Sequence, residues 1–221
     1  MRRSYKLYAI LLLLLVAIAA FMGLMREFRV HLALSGNTIT RIGYFTQTPP
    51  PLPTPTSARS SRDLITACAY ISYKAPALKA DEALDQAFNK QCLLTAQALL
   101  DSAPSNARAL AVVFMTKPEL DLEALRLAQL AAPYDAAPLR MRIWGIVDRC
   151  SKDPEFLKIA REDFDRVIGM RWGLELLARA YLDCEAYQPS IIAAADARGA
   201  QVQRQFLHAV RRRLGRTPFN G

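Results

Sequence analysis

The strongest constraint on this chain is an uncharged apolar run of nineteen residues near its N-terminus, from Leu7 to Met25. As an α-helix, a run of this length spans roughly 28 Å, about the thickness of the hydrocarbon core of a bilayer. A backbone inside lipid must satisfy its own hydrogen bonds, and a helix does so. The sequence therefore predicts a transmembrane helix over residues 7–25, preceded by a short cytoplasmic tail over residues 1–6.

The charges that flank the run predict its orientation. Three basic residues precede the run and two follow it closely, and basic flanks tend to stay in the cytoplasm. We therefore expect a single pass through the inner (cell) membrane, with the C-terminal part extracytoplasmic or periplasmic. The alternative is a secretory signal cleaved near Ala17-Ile18-Ala19, since a basic start, an apolar core and small residues form that pattern. Both alternatives export the remainder of the chain.

Four cysteines, Cys68, Cys92, Cys150 and Cys184, lie beyond the apolar run. An even number of cysteines in an exported chain favours disulfides, for which three pairings are possible. The pairings nearest in sequence are Cys68 with Cys92 and Cys150 with Cys184. Buried free thiols are the alternative. A metal site is not expected, because no C-x-x-C or histidine spacing accompanies the cysteines.

The segment over residues 26–59 reads as a stem followed by a proline-rich linker. Within the stem, residues 30–34 and 38–42 flank Ser35-Gly36-Asn37, which predicts a short β-hairpin. Residues 48–56 contain five of the thirteen prolines, so we expect an extended, semi-rigid spacer that holds the body away from the membrane. A polyproline ligand for another protein is the alternative.

Residues 60–221 show a helical period, cut by proline and by Asp, Asn and Ser into segments of one to two dozen residues. These short helices need neighbours to bury their apolar stripes, which predicts an all-α body of antiparallel helix pairs. The predicted helices cover residues 61–75, 81–102, 105–115, 119–131, 137–150, 154–167, 170–184, 188–197 and 200–214.

One unit of this body carries a repeat pattern. Large, small and aromatic positions alternate along it: Leu177, Ala178, Tyr181, Tyr187, Ser190 and Ala197. This pattern resembles the tetratricopeptide repeat (TPR), and the resemblance covers about residues 80–200. Glu185 departs from it, because the family usually has glycine at that turn. The resemblance implies a TPR-like solenoid whose concave face, built by the first helices, binds a peptide or a partner protein; an irregular helical bundle is the alternative fold.

The net charge of +9 belongs to the two ends of the chain, while the body between them is mildly acidic. A nucleic-acid-binding domain usually carries its positive charge on the folded body, so that class is excluded. The last predicted helix presents Arg204, Arg211, Arg212 and Arg213, either as a solvated capping helix or as a surface for anionic lipid headgroups or acidic polysaccharide.

No catalytic or cofactor motif is found. The two histidines, His31 and His208, lack a nearby nucleophile or metal partner, so we expect no catalytic residue, no metal and no cofactor. The acidic cluster Glu162, Asp163 and Asp165 lies beside arginines, as in a salt-bridged surface. An enzyme that acts on envelope glycan through this cluster is the alternative.

These observations favour a membrane-anchored extracytoplasmic scaffold or assembly factor of an envelope system, for secretion or surface polysaccharide. Its expected partners are proteins of the cell envelope. From helical phase we assign Arg140, Trp144 and Arg171 to the partner-binding face, although the two tryptophans also suit helix interfaces. A purely structural subunit of a membrane complex is a further alternative.

Overall fold

The computed structural model describes residues 2–47, 52 and 55–215, and the statements below concern these residues. All elements in this part of the chain are helical and none is a strand, so the predicted all-α class is confirmed. The helices are α1 Arg2–Leu34, α2 Thr38–Gln47, α3 Ala58–Lys74, α4 Pro76–Ala80, α5 Glu82–Ser102, α6 Ala107–Thr116, α7 Leu122–Ala131, α8 Ala136–Arg149, α9 Pro154–Val167, α10 Arg171–Asp183, α11 Gln188–Ala197 and α12 Ala200–Leu214, with a 3₁₀ turn at Glu185–Tyr187.

Each of the nine segments predicted after residue 60 corresponds to one helix, with ends that agree to within about three residues. Side-chain caps explain this agreement. The side-chain oxygens of four residues accept hydrogen bonds from first-turn backbone amides: Asn106, Asp121, Asp135 and Asp153. Such caps satisfy amides that have no partner within the helix, and they fix where each helix begins.

The helices group into two compact units, Met1–Ser102 and Ala103–Gly221. The first unit contains α1 to α5 and therefore includes part of the segment predicted as one helical domain over residues 60–221. The second unit contains α6 to α12. We describe each unit by itself.

The hairpin predicted in the stem is wrong. α1 continues without a break to Leu34, and the chain turns at Gly36, whose φ of +79° favours glycine. Asn37 then accepts the amide of Thr40 at 3.0 Å and so caps α2. The buried side chains of the two segments recur at three-residue spacing, which suits helices: Val30, Ala33, Ile42 and Phe45.

The N-terminal helix is long and apolar enough to cross a membrane over Ile10–Leu34, the one such helix in the described part of the chain. The most apolar 18-residue stretch of this span is not buried within the fold, whereas Val30 and Ala33 near its end are. The predicted hydrophobic helix is therefore present and extends beyond Met25. A signal sequence near the N-terminus meets the same criteria of length and composition, so neither of the two predictions for this helix is excluded.

Glu27 ties the end of the apolar run to α3. Its Oε1 accepts the backbone amides of Thr56 at 2.6 Å and Ser57 at 2.7 Å, and its Oε2 accepts the hydroxyl of Ser60 at 2.5 Å. Contacts between α1 and the rest of the first unit therefore occur within two residues of Met25. Most of the predicted spacer, residues 48–51, 53 and 54, lies outside the described residues, while Leu52 within it is 1% exposed.

Both predicted disulfide pairings are present. Cys68 and Cys92 join α3 to α5 with their Cα atoms 5.7 Å apart. Cys150 and Cys184 join the ends of α8 and α10 with a Cα separation of 5.4 Å. Each bond links helices within one unit, as in domains folded in an oxidising compartment.

The helices of the second unit pack in two rows. α6, α8, α10 and α12 follow one another in the first row, each in contact with the next. α7, α9 and α11 form the second row in the same way. The phenol of Tyr187 links the 3₁₀ turn to α8, because it donates to the carbonyl of Ile146 at 2.8 Å and accepts the amide of Ser151 at 3.2 Å. Burial raises the pKa of Tyr187 to about 12, so this phenol stays protonated.

A buried ion pair joins α8 to α9. Arg142 and Asp163 are both inaccessible to solvent, and the guanidinium meets the carboxylate through Nε at 2.8 Å and through a second nitrogen at 3.0 Å. The remaining guanidinium donors bind the carbonyls of Ala128, Ala132 and Pro133 at the end of α7. One side chain thereby connects three consecutive helices.

Replacing Arg142 with Ala is expected to lower the free energy of unfolding by about 3–5 kcal/mol, because the Asp163 carboxylate would stay buried without its main partner. The measurement is urea unfolding followed by fluorescence, since both tryptophans of the chain lie in the second unit. The exposed Arg161→Ala exchange is the matched control, with an expected change within about 0.5 kcal/mol. Equal losses in the two variants would contradict the role given to Arg142.

Removing the second disulfide by the double exchange Cys150→Ser/Cys184→Ser should lower the stability of the second unit by about 3–4 kcal/mol, as expected for a closed loop of 34 residues. The same tryptophan signal reports this loss. The exchange Cys68→Ser/Cys92→Ser is the control, because that bond lies in the other unit and should move the tryptophan transition much less. An unchanged transition after loss of Cys150–Cys184 would contradict the expectation.

Candidate functional site

The principal candidate site is a cleft of about 520 Å³ between α10 and α12. We call it the basic cleft, and it is lined by Arg171, Leu174, Gln201, Arg204, Gln205, His208 and Arg212. The α12 residues of this set recur every three or four positions, so they share one face of that helix. The cleft is therefore built by two neighbouring helices of the first row.

Only one of the three arginines that line the basic cleft is balanced by an acidic residue among the described residues. No carboxylate belongs to its lining among the described residues. Arg212 pairs at the edge with Glu175 at 2.5 Å. Arg171 and Arg204 are exposed and form no ion pair within residues 55–215. The cleft therefore offers two unpaired guanidinium groups to an anionic ligand.

Close packing fixes the two helices that carry these arginines. Gly173 lies against the carbonyl oxygen of Val167, and a Cβ atom at this position would overlap that oxygen. The absence of a side chain therefore lets α10 begin directly after α9. α12 is seated on α10 by the edge-to-face contact of Tyr181 and Phe206, whose ring centroids are 5.6 Å apart.

A further cation lies on the neighbouring helix pair. The guanidinium of Arg140 on α8 lies 4.8 Å from the ring centroid of Trp172 on α10. This is the range of a cation–π contact, which holds the guanidinium without neutralising its charge. Trp172 is adjacent in sequence to Arg171, so α10 carries both the stacking platform for one arginine and the first arginine of the cleft.

The structure brings together residues that the sequence had assigned to two different surfaces. Arg171, predicted on the partner-binding face, lines the same cleft as Arg204 and Arg212, predicted on the anionic surface. Trp144 is 8% exposed and packs in the interior, which leaves its indole little surface for a partner. The remaining predicted residues of the anionic surface, Arg211 and Arg213, do not line the cleft.

Sequence reasoning missed the part that His208 plays in the cleft. From the sequence alone, we considered His208 only for catalysis or metal binding. Among the described residues, no group of three His, Cys, Asp or Glu side chains could hold a metal. A helical-phase comparison with Arg204 and Arg212, each four residues away, would have placed His208 on the same face.

One residue of the acidic cluster, Asp163, has a structural role. The sequence placed Asp163 on a salt-bridged surface, but it is fully buried and bound by Arg142 and by Arg166, the latter at 2.7 Å. Glu162 pairs with the other side of Arg166 at 3.2 Å. The pair with Arg142 holds α9 against α8, the contacts of Arg166 lie within α9, and the buried Asp163 has no access to a substrate.

A second surface feature is apolar. Three large side chains at and after α7 are exposed: Leu127 at 43%, Leu130 at 79% and Tyr134 at 77%. We call them the α7 apolar surface. A groove of about 360 Å³ beside it, between α7 and α9, is lined by Leu130, Pro133 and Ile159 with charged residues around them. Exposed apolar side chains in such a group are typical of protein contact surfaces.

Comparison with known proteins identifies no relative: no family model, no curated protein and no solved structure matches the chain.

Removing an unpaired arginine of the cleft should cost no stability. For Arg204→Ala we expect a change in the free energy of unfolding within about 0.5 kcal/mol, because that side chain makes no ion pair to lose. Arg212→Ala, which loses the pair with Glu175, should cost up to about 1 kcal/mol. Urea unfolding of both variants measures the difference. A loss at Arg204 as large as that expected for Arg142→Ala would make this arginine structural.

Proposed function

We propose that this chain is a membrane-anchored extracytoplasmic scaffold, or assembly factor, that binds an acidic segment of a partner protein in the basic cleft. The observation that carries the proposal is the pair of arginines, Arg171 and Arg204, that face the cleft without a carboxylate partner among the described residues. Arg142, which is fully buried, and Arg166, which is half-buried, both pair with Asp163. Unpaired arginines in a cleft suit recognition of an anion.

The chemistry of the cleft favours carboxylates. Glu175 already binds Arg212 at its edge, so a carboxylate fits the geometry of this guanidinium. Arg204 and Arg212 are eight residues apart on α12, or about 12 Å along the helix axis. An extended peptide covers that distance in about four residues. The proposed ligand is therefore a segment with acidic side chains about four residues apart, and the side chain of Leu174 provides an apolar floor.

A TPR-like fold for the second unit is part of the proposal. The packing of α8 on α10 and of α10 on α12, with α9 on α11 in the other row, supports a stack of helix pairs. In such a stack the first helices build the ligand-binding face, and the basic cleft belongs to these helices. The repeats would be irregular, since α8, α10 and α12 begin at residues 136, 171 and 200. Glu185, which departs from the family pattern, begins the 3₁₀ turn.

The proposed location follows from the apolar helix α1 and from the two disulfides. The apolar part of α1 has the length of a single membrane pass. The disulfides Cys68–Cys92 and Cys150–Cys184 favour the oxidising, extracytoplasmic side for both units. We therefore propose an anchor in the inner (cell) membrane and partners within the envelope. Retention of the anchor, rather than its cleavage as a signal, is part of this proposal.

A structural subunit of a membrane complex is a second candidate, favoured by the α7 apolar surface. In that case Leu130 and Tyr134 would be covered by another subunit, because exposed apolar groups of this size gain free energy when they are removed from water. The glycan-acting enzyme is supported less well, since Asp163 is engaged by Arg142 and Arg166.

The decisive experiment is chemical crosslinking in native membranes followed by mass spectrometry. The charge reversal Arg171→Glu/Arg204→Glu should reduce partner capture by about tenfold or more, since like charges would then meet in the cleft. The matched control is Arg211→Glu/Arg213→Glu, which makes the same change of charge on α12 outside the cleft and should retain capture. Equal losses in the two variants would indicate a general electrostatic effect and would contradict a specific cleft.

A third variant, Leu130→Asp, separates the two candidate functions in the same experiment. Loss of crosslinks in this variant alone would favour the structural subunit. Urea unfolding of each variant confirms that capture is compared between folded proteins.

A further inference from the structure

The apolar surface of α1 continues beyond the charged residues that follow the uncharged run. Phe28 and Leu32 are 52% and 39% exposed, and they extend the line of Phe21 and Met25 at spacings of three and four residues. We call these four residues the α1 stripe. Val30 and Ala33 are 2% and 1% exposed. At about 100° per residue, they lie on the opposite side of the helix from the stripe, so the stripe faces away from the first unit.

The length of α1 indicates where the α1 stripe lies relative to the bilayer. The apolar span over Ile10–Leu34 has 25 residues, or roughly 37 Å of helix. This exceeds a hydrocarbon core of about 30 Å, so about 7 Å of the helix extends into the headgroup layer. Phe28 and Leu32, near the end of the span, then lie in the interface. Glu27, on the other side, stays bound to α3.

Basic side chains surround this part of the first unit. Glu27 holds the start of α3 beside α1, and the Thr56 methyl group lies close to Gly23, within the uncharged run. The first turns of α3 therefore lie at the level where the apolar run ends. Four exposed arginines occur at this level: Arg26 and Arg29 on α1, and Arg59 and Arg62 on α3. Arg59 is 85% exposed and has only a loose contact, at 3.9 Å, with Asp63.

We propose that the α1 stripe and these four arginines form a lipid-binding surface that lays the first unit on a bilayer with anionic headgroups. The inference rests on the membrane attachment proposed above. The stripe would enter the interface, and the arginines would bind headgroup phosphates. It replaces the expectation of a body held away from the membrane by a spacer.

The positive charge of Arg29 argues against the pairing of two copies of the chain through the α1 stripe. Arg29 lies three residues before Leu32 and so borders the stripe on the helix surface. Two copies that paired through the stripe would bring their Arg29 side chains toward each other, where like charges repel. An anionic lipid surface instead meets both the apolar groups and the cations that flank them.

The test uses the full chain in phosphatidylcholine vesicles with and without phosphatidylglycerol. A nitroxide label is placed in turn on Phe28→Cys, Leu32→Cys, Leu15→Cys in the run and Ser102→Cys in the exposed end of α5. Accessibility to oxygen, which concentrates in lipid, is compared with accessibility to a water-soluble nickel chelate. We expect labels 28 and 32 to favour oxygen as label 15 does, and label 102 to favour the chelate.

The outcomes separate this inference from the proposed attachment. Labels 28 and 32 in water with label 15 in lipid would overturn the lipid-binding surface alone. Label 15 in water would overturn the attachment and the surface together. Dipolar broadening between labels at position 28 of different copies, with little access for either reagent, would favour helix pairing and overturn the lipid occupant.

A second measurement tests the arginines. Spin-labelled phosphatidylglycerol should be preferred over spin-labelled phosphatidylcholine around the wild-type chain, by up to about fivefold for each arginine that reaches a headgroup. The variant Arg29→Gln/Arg59→Gln/Arg62→Gln should lose most of this preference. The matched control Lys152→Gln/Lys158→Gln/Arg161→Gln, with three exposed cations of the second unit, should keep it. Equal preference in the two variants would overturn the role of the arginines.

Discussion

The buried guanidinium of Arg142 is the interaction on which the second unit depends most. It has no access to water, so each of its five donors requires an acceptor in the protein, and Asp163 and three carbonyls at the end of α7 provide these. Because these acceptors come from α7 and α9, the rotation of α8 about its axis is fixed. Arg140 lies about 200° away from Arg142 on the same helix, so fixing one side chain inside directs the other outward. The contacts of Arg142 in the interior therefore determine the position of Arg140, which stacks on Trp172 beside the basic cleft.

The sequence was sufficient for the helices of the body other than the short α4, which no predicted segment covers, and it was insufficient for the stem. Asp121 and Asp153 stand where helices begin, and their capping chemistry is local, so a single sequence carries the signal. In the stem, five residues on either side of a turn fit a strand and a helix equally well. Tertiary burial favours the helix in the stem, since Val30 and Phe45 pack in the first unit as parts of helices.

The ion pair of Arg142 and Asp163 could have been predicted from the sequence. Counting the charges of the body did not reveal it, because the count does not separate buried from exposed residues. Arg142 stands on the apolar stripe of its helix, three residues after Leu139 and four before Ile146. Asp163 stands on the stripe of the next helix in the same way, three residues after Ala160 and four before Val167. One basic and one acidic residue in core positions of adjacent helices predict a pair, because neither charge is tolerated there alone. The basic cleft could be predicted less completely, since it depends on how α10 and α12 meet.

Arginine therefore has opposite roles in the interior of the second unit and in the basic cleft. In the interior the charge of Arg142 is fully compensated, and little of its attraction remains for a ligand. At the cleft Arg171 and Arg204 remain in water, where each contact with an anion is weak because water and salt screen it. Weak contacts would suffice for the proposed function if the partner is held in the same membrane, because attachment of both proteins converts an encounter from solution into one at high effective concentration. In that proposal the apolar run and the open cleft are complementary: the first would supply proximity, and the second would need to supply only selection among acidic segments.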